Sequence, residues 1–322
     1  MFSKLSKKSA LKHILVVSQT NIGDVVLTCP VIDILLEDFP DAKMDVVVGP
    51  KAVSLFKGNP RFKVIEFNKR APLKEQYEWF SQLYKAHYDC VIDLRRTGLA
   101  LFLSPRYATP IMGQTFKIHK KDTHLDRLRQ VYRFEAVSLK KNAIVTIAED
   151  ERFFEEQVVP FLQGQSFVVI APGAADATKR WHPQGFTAVA DHLSAFTKVI
   201  FVGDNTDAAI VDEIQAAMKM PSLSLAGKIN LRQLAYVLKK SSWVIAHDSG
   251  VMHLASYLDV PVLALWGPTS LERYAPWSRN SVTVKRNDNC PRCLDRKLKV
   301  NHECMSLISV ADVINAITQI KQ

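Results

Sequence analysis

Short apolar runs and helix-length segments alternate along this chain with a regularity that few folds accommodate. The run HILVV is apolar and β-branched; polar SQTNIGD follows, and then VVLTCPVIDILLEDF, whose apolar residues recur at helical spacing. KMDVVVG and YDCVIDL are further short apolar runs. Strands that are apolar on both faces are those of parallel sheets, because their crossover helices cover both sides. The charged segment IAEDERFFEEQVVPFLQGQ is expected to be a helix and linker, and after it the alternation restarts. SFVVIAPG precedes a helix in HPQGFTAVADHLSAF, with Pro183 in its first turn. KVIFVG, a helix entered through Asn205-Thr206, SSWVIAHD and VPVLALWG come next. SVADVINAITQIKQ closes the chain as an amphipathic helix that Ser309 would cap.

Two successive sets of βα units imply two doubly wound parallel-sheet domains facing each other across a cleft. The expected division is 1–155 and 156–322, with the last helix, 309–321, packing back on the first domain. A chain of 322 residues suits two domains of ~150 residues. No apolar run approaches the ~18–20 residues of a membrane span. MFSKLSKKSALK lacks the apolar core of a signal peptide, and five cysteines are an odd number. The expectation is a cytoplasmic protein.

The net charge of +10 is unevenly placed. Residues 1–150 hold 24 Lys and Arg against 16 Asp and Glu, whereas 151–322 hold 18 against 16. Between Lys117 and Lys141 eight basic residues face three acidic ones. This is either a solvated helix face or a site for something acidic. Nucleic acid is the weaker choice, since no binding module accompanies the charge. The lysine-rich start, with Phe2 and Leu5 interleaved, suits either an anionic membrane surface or a frayed terminus.

Ligands of such folds sit beyond the carboxyl ends of the strands, and three loops there carry the chemistry. In NIGDVVLTCP, Gly23 allows a tight turn and Asp24 falls in the first helical turn. Asp24 either complements the helix dipole or accepts a proton from an incoming hydroxyl. In APGAADATKRWHPQGF, Gly173 permits close approach of a ligand, Lys179 and Arg180 supply charge, and a helix N-terminus follows. In AHDSGVMHLASYL, Ser249 and Gly250 open a helix whose free amides suit a phosphate, and His253 lies in its first turns. Asp248, at the strand end, would accept hydrogen bonds from sugar hydroxyls or amides.

The order strand, HDSGVMHLA, helix, VPVLALWGPTS resembles the signature of glycosyltransferase family 9, the lipopolysaccharide core heptosyltransferases. NIGDVVLTCPVIDIL, TKRWHPQGF and YAPWS fit the same family in the same order, from about residue 12 to 320. The resemblance implies a GT-B fold, two Rossmann-like domains with the acceptor on the first and the donor on the second. It implies inverting, metal-independent transfer from a nucleotide sugar, typically ADP-L-glycero-β-D-manno-heptose, to Kdo-lipid A or an inner-core heptose, with no cofactor. Asp24 falls at the family's general base, Lys179 at the lysine contacting the donor diphosphate, and Asp248, Ser249, Gly250 and His253 in the donor loop; Gly23, Gly173 and Arg180 accompany the donor set. Lys117, Lys120, Lys121 and Arg127 are then candidates for contacts to an anionic glycolipid at the inner-membrane surface, with Arg95 and Arg96 as a second set.

Cys290, Cys293 and Cys304, with His302, have zinc-like spacing, but the further cysteine often found between them is missing, so a reduced structural loop is expected. Cys29 and Cys90 read as buried thiols. A transferase using another nucleotide sugar, an epimerase or hydrolase on this architecture, and a catalytically silent nucleotide-sugar-binding protein stay open. An NAD-dependent dehydrogenase does not, since no G-x-G-x-x-G follows the first strand.

Overall fold

The computed structural model describes residues 5–6, 10–134, 142–285 and 304–320. The chain divides into two compact units, Met1–Val145 and Thr146–Gln322. In the first, β1 (His13–Val17), β2 (Lys43–Val48), β3 (Lys63–Glu66), β4 (Cys90–Asp93) and β5 (Tyr107–Ala108) form one parallel sheet in the order β3-β2-β1-β4-β5. Alternation along β1 serves both faces. Leu15 and Val17 pack with Leu83, Leu99 and Ala100 from the helices Leu73–Lys85 and Leu99–Leu103, and Ile14 and Val16 are equally buried on the opposite side.

The second unit repeats the plan. Its strands β6 (Phe167–Ala171), β7 (Lys198–Phe201), β8 (Leu223–Ser224), β9 (Val244–His247), β10 (Val262–Trp266) and β11 (Val282–Lys285) pair in parallel in the order β11-β10-β9-β6-β7-β8. Val168, Ile170, Phe201, Ile245 and Leu263 from this sheet meet Phe186 and Val189 of the helix Pro183–Ser194 in one core. Both units are the doubly wound α/β layers that the sequence periodicity requires.

Three expectations change in detail. The charged segment is not a linker: its helix Ala148–Gln157 is docked in the second unit. Asp150, fully buried, accepts bonds of 2.9 and 2.7 Å from Arg232 Nε and one of 3.1 Å from the amide of Ile147. On the other side of the boundary, Asp33 Oδ1 accepts the amides of Asn142 and Ala143 at 2.7 Å each, which fixes that stretch to the first unit. The last helix, Val310–Ile317, has the Ser309 cap foreseen, with Asp312 completing the reciprocal pair. It buries Val313 and Ala316 in the core of the second unit, against Pro183–Ser194 and β11. Leu5 is buried as well, its amide donating to Val131 O at 2.8 Å, so it is not available to a membrane; Phe2 lies outside the described residues. Among the described residues no helix is long and apolar enough to cross a membrane.

Removing one member of a buried ion pair strands the other charge, at a cost of about 3–5 kcal/mol. Asp150→Ala, which takes away the closest carboxylate of buried Arg232, is therefore expected to lower the unfolding free energy by about that amount in urea titrations.

Candidate functional site

The second sheet reverses direction between β6 and β9: the chain leaves β6 toward β7 and leaves β9 toward β10. Loops at the carboxyl ends of such neighbours diverge and leave a crevice. Here the loop after β6 brings Lys179, in the 3-10 turn Ala177–Lys179, to Asp248 after β9; Nζ lies 2.8 Å from Oδ2. The other oxygen of Asp248 is 3.5 Å from His253 Nε2, one helical turn further along Gly250–Tyr257. The loop after β10 joins them, since Gly267 packs against Met305 and the backbone of Thr178, next to Lys179. Two motifs 69 residues apart are thus one cluster.

Its electrostatics follow from burial. The Asp248 side chain is only 7% exposed, which by itself would raise its pKa; the bond to His253 and the charge of Lys179 outweigh this and hold it at about 2. Asp248 is therefore an anion bonded to two side chains. His253 is buried and stacked on Trp277 at 5.6 Å. Three polar atoms here have no partner and are shut off from solvent: His253 Nδ1, Ser249 Oγ and Thr269 Oγ1. Unpartnered buried hydroxyls cost free energy unless a ligand satisfies them.

Neighbouring residues shape this group. Arg180 Nε donates to Ala174 O at 2.8 Å and closes the loop after β6. A Cβ on Gly173 would overlap the Asp207 carboxylate, so glycine is required there by close packing as much as by any ligand. The helix Pro183–Ser194, expected to offer free amides, has its Gly185 amide taken by His182 Nδ1 at 2.9 Å, and Trp181 is buried in the core. The sequence did not single out His247, Asp207 or Thr269. His247 is fully buried: Nε2 accepts the Trp181 amide at 2.9 Å and Nδ1 faces Gly173 O at 3.4 Å. It braces the strand ends of β6 and β9, a role that no local pattern announces.

The first sheet has its own switch point, between β1 and β4. Asp24 stands after β1 in the short helix Ile22–Val26, partly exposed, with Asn21 Nδ2 donating to it at 3.2 Å. Gly23 is an ordinary helical residue of this unit, with no positive φ, so the turn does not depend on it. Gln19 Nε2 donates to Leu94 O at 3.0 Å and links the loops after β1 and β4. Asp93, not singled out by the sequence, organises the second of these: Oδ2 accepts the amides of Thr97 and Gly98 and the Thr97 hydroxyl, and Oδ1 the amide of Arg95. Arg95 lies over the Phe67 ring, and Arg96, at φ +61°, donates to Gly113 O at 3.0 Å.

The basic run divides into unlike parts. Arg127 is buried, not on the surface; Nε and Nη2 hold Asp93 O, Nη2 also reaches Pro110 O, and Nη1 has no partner. Lys117 is exposed, Lys121 pairs with Asp122 at 3.1 Å, and Lys120 is half-buried on the first turn of Lys120–Arg129. Arg127 therefore anchors loops, while Lys117 is exposed and Lys121 is paired locally. Cys290, Cys293, His302, Lys140 and Lys141 lie outside the described residues. Cys304 is disulfide-bonded, not reduced as expected, and Cys29 and Cys90 are buried free thiols. Among the described residues no three His, Cys, Asp or Glu side chains group to hold a metal.

Burial lowers His247 and His124 to about 4, and nearby cations add to it in both. Unfolded histidine titrates near 6.5, so between about 6.5 and 4 the unfolded chain binds protons that the native one refuses. Stability is therefore expected to be level above about pH 6.5 and to fall on acidification toward 4, by on the order of 1 kcal/mol per pH unit for each histidine. Urea titrations across that window check this, and His247→Gln should flatten the slope.

The sequence profile of glycosyltransferase family 9 (heptosyltransferase) matches residues 90–303. Lipopolysaccharide heptosyltransferase 3 of Escherichia coli is 26% identical over 92% of this chain and 96% of its own. Among solved structures, a family 9 glycosyltransferase from Veillonella parvula superposes with a TM-score of 0.83 at 22% identity, covering 99% of both chains. E. coli ADP-heptose lps heptosyltransferase II does so at 0.76 and 19% identity, covering 96% of this chain and 98% of its own. The two parallel-sheet units are thus those of GT-B enzymes, and with a family profile spanning two thirds of its length the chain belongs to glycosyltransferase family 9.

Proposed function

We propose that this enzyme transfers a heptose from ADP-L-glycero-β-D-manno-heptose to the Kdo or heptose inner core of lipopolysaccharide, with inversion and without a metal. The observation that carries the reading is the cluster at the second switch point. Lys179 is held by Asp248; Ser249, next to Asp248 in the chain, and His253, its ion-pair partner, each carry a buried polar atom without a partner, Ser249 Oγ and His253 Nδ1, as does Thr269 Oγ1 on the loop after β10. An ammonium, hydroxyls and the first amides of Gly250–Tyr257 suit a diphosphate. They would stabilise the negative charge that develops as the diphosphate departs. The donor reading draws support from the family and from a relative whose name carries ADP-heptose.

On the first unit Asp24 is the base. Displacement at an anomeric carbon needs a carboxylate to take the acceptor proton as the new bond forms. Asp24 is partly exposed at the switch point, whereas Asp93 beside it is consumed by backbone amides. Arg96, on the loop after β4, and Lys117, Lys120 and Lys121, on the loop after β5 and the helix that follows, suit the carboxylate and phosphate groups of an inner-core glycolipid, with the unpartnered Nη1 of Arg127 on the same helix. Such an acceptor places the enzyme at the cytoplasmic face of the inner membrane.

Calorimetry with ADP, UDP and GDP, without and with magnesium, tests the donor: ADP is expected to bind best, equally well without metal. Preference for UDP or GDP would move the function to another sugar. Asp24→Ala should abolish transfer to Kdo-lipid A while leaving ADP affinity within about twofold. Near-normal turnover of that variant would overturn its role as base.

Lys179→Ala should weaken nucleotide binding and turnover together. Ser249→Ala and Thr269→Val remove hydroxyls that bond nothing in the free protein, so melting temperatures should hold or rise slightly while ADP affinity drops by about tenfold. Unchanged affinity in both would detach those hydroxyls from the donor.

A further inference from the structure

We infer that the first unit carries a docking surface for an anionic bilayer, formed by the exposed side of the helix Leu99–Leu103 and by the loop after β5. The helix Leu99–Leu103 reads LALFL, with no polar residue. Leu99 and Ala100 fill the core, which leaves Leu101 and Phe102 facing water, each 63% exposed. On the loop after β5, Met112 is 94% and Phe116 84% exposed. Single exposed apolar residues are ordinary, but a group of them marks an interaction surface.

Contacts tie the segments that bear these side chains to one another. Phe102 meets Phe80 edge-on at 6.0 Å, and Phe80 stacks with Tyr84 at 6.4 Å, which ties the two helices together. Ile111 lies beside Gly98, the N-cap of Leu99–Leu103, and Arg96 Nη2 donates to Gly113 O at 3.0 Å. The amides of Phe116 and Lys117 donate to Asp126 at 3.2 and 3.0 Å, so the loop that bears Phe116 is fastened to the helix Lys120–Arg129. Phe116 is thus presented outward from a braced loop.

Charge chooses the occupant. Lys117 and Arg96 are exposed on the same loops, with Lys120 and Lys121 at the start of the next helix. Apolar and aromatic side chains rimmed by cations match the acyl boundary and anionic headgroups of a bilayer. All of these loops leave the carboxyl edge of a parallel sheet, the edge that also bears Asp24. A bilayer seated here brings lipid headgroups to the base. The inference rests on the lipid-borne acceptor proposed above, but its test requires no transfer.

The full chain is sedimented with vesicles of phosphatidylcholine alone and of phosphatidylcholine with equal phosphatidylglycerol. The wild type should bind the anionic vesicles, weaken with salt, and bind the neutral ones poorly. Phe102→Ser with Phe116→Ser should cut the bound fraction by about tenfold while leaving the melting temperature and turnover of a de-acylated, water-soluble acceptor unchanged. Leu101→Asn with Met112→Ser is a second pair, should the first disturb folding. Wild-type chain that stays in the supernatant, binds neutral vesicles equally, or keeps its binding in both pairs would overturn the docking surface. Transfer to the soluble acceptor without vesicle binding defeats docking alone. Vesicle binding that the variants lose, with no transfer by the wild type, upholds docking and defeats the transferase reading.

Discussion

Asp248 is a charge kept almost out of water, and much of the second unit is arranged to tolerate it. A buried carboxylate is costly unless cations and hydrogen bonds compensate it. Lys179 and His253 supply these from a loop and a helix that only tertiary folding brings together. Meeting that requirement fixes the 3-10 turn after β6 against the end of β9. It also leaves Lys179, the more exposed partner, standing at the rim with its ammonium localised. Burial, helped by the charges of Arg180 and Lys179 and opposed by that of Asp248, keeps His247 neutral, and it braces Gly173 O and the Trp181 amide across the same two strand ends.

The first unit solves a similar problem with different chemistry. At its switch point the buried carboxylate is Asp93, and its compensation is a set of backbone amides in place of a lysine. The buried cation is Arg127, compensated by carbonyls of Asp93 and Pro110 instead of a carboxylate. Both charges are used to hold loops, which leaves Asp24 as the partly exposed acid beside them. Two switch points of the same topology thus carry different chemistry. The second unit places a lysine and a buried carboxylate there, and the first a partly exposed acid.

Much of the fold was legible because parallel strands are apolar through their whole length. HILVV, SFVVIAPG and VPVLALWG could be placed without knowing their neighbours, and each lies on a strand of the structure. The linker was misread for a related reason. Its helix Ala148–Gln157 is strongly charged, and composition does not reveal that Asp150 points inward to Arg232, 82 residues away. The amphipathic face of the last helix announced that it is buried, but not that its partners are Pro183–Ser194 and β11.

The candidate site divides along the same line. Asp24, Lys179, Asp248, Ser249 and His253 stand in local motifs, so residue type and spacing were enough to select them. Their partners were not readable. That Lys179 pairs with Asp248, that Arg127 is buried under Asp93, and that Ser249 and Thr269 hydroxyls are left unbonded depend on distances between loops far apart in the chain. Sequence by itself determined the alternation of elements and the two-unit plan, and it selected the candidate loops, because these follow from local periodicity and backbone geometry. Only the tertiary structure decided which charges are compensated and which groups remain open to a ligand, because electrostatic cost depends on burial and on partners that folding alone supplies.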